Sequence, residues 1–313
     1  MLTLSRADVE ALGLTIPACT EALEVAFLAV GEGRLTARPK STISLADGSF
    51  FIGAVACWPE RGIGLFHNIM GTAAANVPPG APHYTSRQLV SDYHTATPLA
   101  LIDGSVTSTI LPAAITALTA PRLARPDSRI ATFVGAGVQA RVNLEALAPL
   151  FPIAEVRVLS RTERSAASFA AHARDRGYAA RVLTNAREAV AGADLIVTSV
   201  PGGPGSAPFL DPAWVSPGAY VSAVDLGRSW HPGFESFERI VTDDRAQAVL
   251  QNAEGRMPYK GNFDTEIPEL VAGTRPGRSG PAERIAVIHP GNAVGVMGLT
   301  ALILEASRRR SAG

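Results

Sequence analysis

Gly135, Gly137 and Ala140 stand in the spacing Gly-x-Gly-x-x-Ala, directly after the apolar run Ile130 to Val134. In that spacing the first glycine allows a tight turn, the second lets backbone approach a pyrophosphate, and the third small residue lets a helix pack on a strand. With Ala136, Val138 and Gln139 between and after them, they turn a buried strand into a helix, Val138 to Leu150. Its first N–H groups and dipole suit phosphate oxygens. A second apolar strand, Glu155 to Leu159, completes a dinucleotide-binding βαβ unit. At the end of such a strand an Asp or Glu would accept from a ribose 2′-hydroxyl. This chain has Ser160, Arg161, Thr162 and Arg164 instead. Hydroxyls and rigid, permanently charged guanidinium forks suit a 2′-phosphate, so NADP(H) is the preferred cofactor and NAD(H) the alternative.

A second group of residues closes the apolar strands Asp194 to Val200 and Ala219 to Val224: Thr198, Ser199 and Val200 on the first, Val224 and Asp225 on the second. In a doubly wound sheet, cofactor and substrate meet at the carboxyl ends of the strands. Asp225 precedes Leu226-Gly227, so it reads as a turn former. No metal is expected, because no His, Cys or Glu spacing resembles a ligand set. No Ser sits in a nucleophile elbow.

Two cores are available to hold these groups, since 313 residues with 47% hydrophobic content are enough for two ordinary domains. Twenty-eight basic residues balance twenty-eight acidic ones, giving a net charge of zero and no electrostatic case for nucleic acid or an anionic membrane. The closing Arg308 to Arg310 offsets a helix dipole. Cys19 and Cys57 read as buried small hydrophobes of a reducing compartment, and no leader or long apolar span appears, so a cytoplasmic protein is expected.

The N-terminal third predicts a helix at Ala7 to Ala11 capped by Ser5, then a longer helix, Pro17 to Gly33. A hairpin about Asp47-Gly48 and strands Ile63 to Ile69, Arg87 to Asp92 and Leu99 to Asp103 follow. A helix from Val106 to Leu123, with Pro112 near its start, leads into the dinucleotide domain. Beyond the fingerprint, strands and helices alternate to a last strand, Ile285 to His289, and a buried terminal helix, Val294 to Arg309. The expected class is α/β, with boundaries at 1–120 plus 291–313 and at 121–290.

Taken in order, Leu89 to Gly104, Ala113-Ala114 through Leu123-Ala124, Phe133 to Ala140, Ala193 to Pro201, Val224-Asp225, Val271 to Gly273 and Pro276 to Arg278 resemble the ornithine cyclodeaminase/mu-crystallin family. The resemblance implies a Rossmann-type domain inserted in an α+β substrate and dimerisation domain built from both chain ends, paired as a homodimer through the substrate-domain sheets. It implies NAD(P)H-linked reduction of imines or keto acids, or cyclising deamination with NAD+ used catalytically. It further implies a carboxylate clamp of Arg, Lys and Arg at positions that here hold Lys40, Phe66 or His67, and Leu111. It makes Asp225 the catalytic Asp, which in a dry cleft has a raised pKa and can pass a proton while hydride moves, while another family Asp falls on Val296. The polar candidates for compensation in the altered pocket are His67, Asn68, Asn76, His83, Tyr84, His94, Arg228 and His289. Leu and Phe cannot supply a bidentate contact to a carboxylate, which argues against ornithine chemistry. The expected function is reduction of a C=N or C=O bond in a small imine or ketone, the substrate being larger or less acidic than an α-amino acid. Lys40, His67 and Asp225 are the catalytic candidates. The alternatives are the NAD+-dependent lyase and a non-catalytic NADPH-dependent binding protein.

Overall fold

The computed structural model describes residues 1–78, 81, 83–202 and 207–312. The chain divides into two units, Met1–Leu111 with Gly291–Gly313, and Pro112–Pro290.

Unit 1 opens with β1 (Leu2–Leu4) and α1 (Arg6–Glu10), whose start is set by a capping box in which the Ser5 N–H donates to Asp8 Oδ2 at 2.8 Å. Thr15 caps α2 (Ile16–Gly31). Then come β2 (Thr36–Ala37), β3 (Ser41–Ser44), β4 (Phe50–Trp58), β5 (Ile63–Gly71), β6 (Tyr84–Asp92) and β7 (Pro98–Asp103). They form one sheet in the order β1-β7-β6-β5-β4-β2, with β3 also on β4. All pairs are antiparallel except β1 with β7.

Strand alternation sorts this sheet into two faces. Ile52, Ala54, Ala56, Trp58, Leu65, Val90 and Ile102 are buried, and the C-terminal helix (Ala293–Ala312) packs on both β4 and α2. The opposite face exposes Phe51, Val55, Phe66, Met70 and Leu89, with Val55, Phe66 and Leu89 aligned across three strands. Cys57 shares that face and is exposed. The expectation of two buried cysteines therefore holds for Cys19 alone, since Cys57 alternates out of phase with Ala56 and Trp58.

Helix α3 (Ser105–Leu123) contains both Pro112 and Pro121. Pro112 is thus interior to the helix, not near its start as the sequence suggested, and the boundary between units falls immediately before it. Unit 2 continues with β8 (Ile130–Val134), α4 (Val138–Leu147), β9 (Glu155–Leu159), α5 (Glu163–Arg174), β10 (Ala179–Leu183), α6 (Ala186–Val190), β11 (Leu195–Thr198) and β12 (Tyr220–Ala223). The rest is β13 (Arg239–Thr242), α7 (Arg245–Ala253), β14 (Thr265–Glu266), α8 (Ile267–Val271) and β15 (Ile285–Ile288). Thr116 Oγ1 and Thr119 Oγ1 meet Ser222 Oγ and Tyr220 OH, each at 2.8 Å, which explains why the second half of α3 belongs with β12.

The second sheet is parallel throughout, in the order β10-β9-β8-β11-β12-β15-β13-β14. Its central strands are buried along their whole length, as a sheet covered on both faces requires. Strand order reverses between β8 and β11, the switch point at which such sheets bind ligands. Pro276-Gly277-Arg278 closes the end of α3: Arg278 Nε donates to the Leu123 carbonyl at 2.8 Å, and a Cβ on Gly277 would lie 2.4 Å from the Arg122 carbonyl. Among the described residues no helix is long and apolar enough to cross a membrane, and no group of three or more His, Cys, Asp or Glu could hold a metal ion.

Candidate active site

The two fingerprint glycines do different things. Gly135 has φ +96°, its N–H bonds the Leu159 carbonyl, and a Cβ there would lie 2.9 Å from the Ser199 carbonyl. Only glycine makes that turn without strain. Gly137 has an ordinary φ of −84°, and a Cβ on it would meet nothing within 4 Å. It is the N-cap of α4, and among the described residues no side-chain cap bond is made there. Ala136 and Ala140 are buried, Val138 is exposed, and Gln139 completes the first turn. The first turn of α4 thus offers backbone donors beside open space, the arrangement a pyrophosphate needs. The residues present fit a dinucleotide.

Beyond β9, Thr162 caps α5: its Oγ1 accepts from the Ser165 N–H at 3.3 Å. Ser160 Oγ lies 3.2 Å from Ser165 Oγ, so both hydroxyls are engaged in forming the cap. The Arg161 and Arg164 side chains are exposed, and neither makes an ion pair among the described residues.

Asp225 follows β12, the in-register neighbour of β11. Its Oδ1 accepts from Thr198 Oγ1 at 2.8 Å and from the Gly227 N–H at 3.1 Å, and its Oδ2 from Ser229 Oγ at 2.5 Å. Trp230 Nε1 in turn donates to Thr198 Oγ1 at 3.3 Å. The turn that brings Ser229 back is made by Leu226 and Gly227, both at positive φ (63° and 75°), an uncommon state for Leu. Asp225 is 2% exposed. Burial pushes its pKa above the usual carboxylate value, against the opposing pull of the Ser229 and Thr198 hydroxyls. Ser199 bonds back to β8 through its N–H (2.8 Å to the Val134 carbonyl), while Val200 and Val224 are half-buried at the same edge. Ser229 was not singled out in the sequence; its signal was its place four residues after an Asp in a Gly turn.

On unit 1 the register decides between Phe66 and His67. Phe66 lies on the exposed face, whereas His67 is 5% exposed and its Nε2 sits 2.8 Å from Ser86 Oγ. Burial holds the His67 imidazole down at about 4, and the Lys40 charge adds to the shift. Lys40 Nζ comes within 3.6 Å of where a Cβ on Gly291 would be. Beside them runs a buried polar ladder that the sequence reading missed: Gln88 Nε2 donates to Thr107 Oγ1 at 2.9 Å, and Thr300 Oγ1 to Gln88 Oε1 at 2.7 Å. Its signal was the polar pair Ser86 and Gln88 at the inward positions of β6. Gly104 makes room for it, since a Cβ there would fall 2.1 Å from Ser86 Oγ. The remaining candidates are not brought to this group: Asn76, His83, Tyr84 and His94 are exposed, and Asn68 lies on the outer face. His289 is buried at the end of β15 in unit 2.

A histidine depressed in this way links folding to pH. The folded value of about 4 lies below the unfolded 6.5, so its contribution is present above pH 6.5 and is lost as pH falls toward 4. Thermal unfolding across that window should show roughly 3 kcal/mol of lost stability from this residue, and His67→Gln should flatten that part of the curve. An unchanged slope in the variant would assign the loss to other groups.

Residues 1–294 match the sequence model of the ornithine cyclodeaminase/mu-crystallin family. The chain belongs to that family. It is 26% identical over 324 aligned residues to an alanine dehydrogenase of Archaeoglobus fulgidus, covering 100% of this chain and 97% of that one. It is 27% identical over 267 residues to the ketimine reductase mu-crystallin of Macropus fuliginosus, covering 84% and 83%. Among solved structures, an archaeal alanine dehydrogenase dimer with bound NAD superposes with a TM-score of 0.87 at 25% identity, covering 100% and 98%.

Against the clamp implied by resemblance to the ornithine cyclodeaminase/mu-crystallin family, unit 1 offers Lys40, a buried imidazole at His67, and an apolar Leu111. Leu111 is 9% exposed, and its Cδ1 would lie 2.8 Å from a Cβ on Gly295. Val296 is likewise buried. Leu111 is therefore packed into unit 1 and presents no donor.

Proposed function

We propose that this protein is an NAD(P)H-dependent reductase of a C=N or C=O bond in a small, possibly cyclic, imine or ketone. The carrying observation is the uncapped start of α4 at Gly137, on the same sheet edge as the buried Asp225 and its hydroxyl partners. The dinucleotide, when bound, supplies the hydride. The chain supplies the rest: N–H groups of α4 bind phosphate, Thr198 and Ser229 fix the Asp225 carboxyl, and Asp225 holds the proton that the reduced nitrogen or oxygen needs. On unit 1, Lys40 and His67 hold positions at which the resemblance places clamp cations, and His67 is a neutral imidazole at physiological pH. Support from relatives comes from the ketimine reductase and the alanine dehydrogenase, whose names describe chemistry at such bonds. The test is a fluorescence titration with NADPH and NADH, followed by cofactor oxidation assays on cyclic imines and ketones. Tight binding with no turnover on either class would refute the reductase and leave a binding protein.

NADP(H) is the proposed preference, carried by the exposed Arg161 and Arg164 beside the start of α5. Replacing both with Ala should raise the NADPH Kd by about tenfold or more and leave NADH within about twofold, since only the 2′-phosphate meets them. Equal loss for both cofactors would count against a 2′-phosphate site.

The proposed assembly is a homodimer through the exposed sheet face of unit 1. Val55, Phe66 and Leu89 form an apolar band there that a lone subunit would leave in water. Light scattering should give a dimer for the wild type and a monomer for Phe66→Glu with Leu89→Glu. A dimer that survives both charges would place the interface elsewhere.

A further inference from the structure

The turn that fixes Asp225 also carries a cation, Arg228, whose charge acts on the Asp225 carboxyl but which makes no ion pair among the described residues. The Arg228 N–H bonds the Asp225 carbonyl at 3.2 Å, so this residue belongs to the same turn at the end of β12. Its guanidinium lies directly on Gly202, where a Cβ would fall 2.9 Å from Cζ, 3.0 Å from Nε and 3.2 Å from Nη1. Nε is enclosed and makes no hydrogen bond. Asp225, the nearest carboxylate in sequence, feels the Arg228 charge, but its hydrogen bonds are to Thr198, Gly227 and Ser229. A second guanidinium, Arg256, has its pKa lowered by burial, with Glu254 opposing that shift and Arg228 adding to it. An incoming oxyanion gives the Arg228 guanidinium a charge-assisted hydrogen-bond partner.

We propose that Arg228 is the anion-binding residue of this site and takes the carboxylate of an imino-acid or oxo-acid substrate. The backbone of Arg228 stands at the end of β12, two strands from the phosphate cradle at the end of β8, while its guanidinium reaches Gly202 beyond β11, so the effect of its variants on NADPH affinity separates a substrate carboxylate from the cofactor's pyrophosphate. Asp225 and Arg228 stand three residues apart in one turn, so proton and carboxylate are managed by a single loop. Gly202 acts as the seat of the guanidinium, since any side chain there would displace it. The proposal rests on the reductase reading for its substrate class, but binding can be measured without turnover.

The experiment is calorimetric titration of the NADPH-loaded protein with pyrrole-2-carboxylate and with the neutral pyrrole-2-carboxamide. The wild type should prefer the carboxylate. Arg228→Gln should weaken the carboxylate by about tenfold or more, leave the carboxamide within about twofold, and leave NADPH affinity unchanged, which also reports that the fold is intact. Arg228→Lys should recover part of the loss. Should Arg228→Gln lose NADPH altogether, Gly202→Ala carries the test, with the same selective loss for the carboxylate. Equal weakening of both ligands, or a wild type with no preference, overturns the proposal. Arg228-dependent carboxylate binding in a protein that oxidises no NADPH with any imine or ketone overturns the reductase reading and leaves this one standing.

Discussion

Asp225→Asn should lower kcat for NAD(P)H-linked reduction by about 10²- to 10⁴-fold while NADPH binding is retained. The substitution keeps the shape of the side chain and removes the transferable proton. Stability is the control. Asn offers one acceptor where Asp offers two, but Thr198 and Gly227 both donate to Oδ1, and the Ser229 hydroxyl can turn to accept from the new amide. One exchanged bond costs about 1 kcal/mol, far less than the loss in rate. The pH dependence has a definite sign. Burial raises the folded pKa of Asp225 above its unfolded 3.8, so its stabilising contribution is complete below 3.8 and is lost as pH rises through the folded value. The wild type should therefore lose stability relative to Asp225→Asn as pH rises, and its kcat should fall as the acid ionises. A variant with wild-type kcat would remove Asp225 from catalysis and leave it as the pin of its turn.

Gly137→Val should abolish useful cofactor binding without unfolding the protein. Gly137 has φ −84° and empty surroundings, so a side chain is sterically allowed and the penalty is a poorer N-cap, about 1 kcal/mol or less. The added methyls would occupy the space through which phosphate oxygens reach the first N–H groups of α4. Losing two charge-assisted bonds predicts an NADPH Kd raised by about 10²-fold or more. Gly135→Ala makes the complementary case: φ +96° and a contact of 2.9 Å with the Ser199 carbonyl should cost fold stability first. If Gly137→Val binds NADPH normally, the phosphates do not lie at the start of α4.

Features governed by neighbours a few residues apart were legible in the chain itself. The Gly-x-Gly-x-x-Ala turn, the Ser5 cap and the hairpin about Asp47-Gly48 lie where spacing and backbone chemistry put them. Asp244 caps α7 in the same local way, its Oδ1 accepting from the Gln247 N–H at 2.9 Å. Features that depend on which surface meets which were not legible. Alternation in β5 says that Phe66 and His67 point to opposite faces; only the packing of the C-terminal helix over one face makes His67 the buried one. The same choice exposes Cys57. Asp225 is buried because Thr198, distant in sequence, ends the neighbouring strand, and Arg228 is seated because Gly202 passes beneath it. Local spacing sets turns and caps through bonds that close within one or two turns of chain, whereas burial and its pKa shifts arise from segments brought together only when the sheets form.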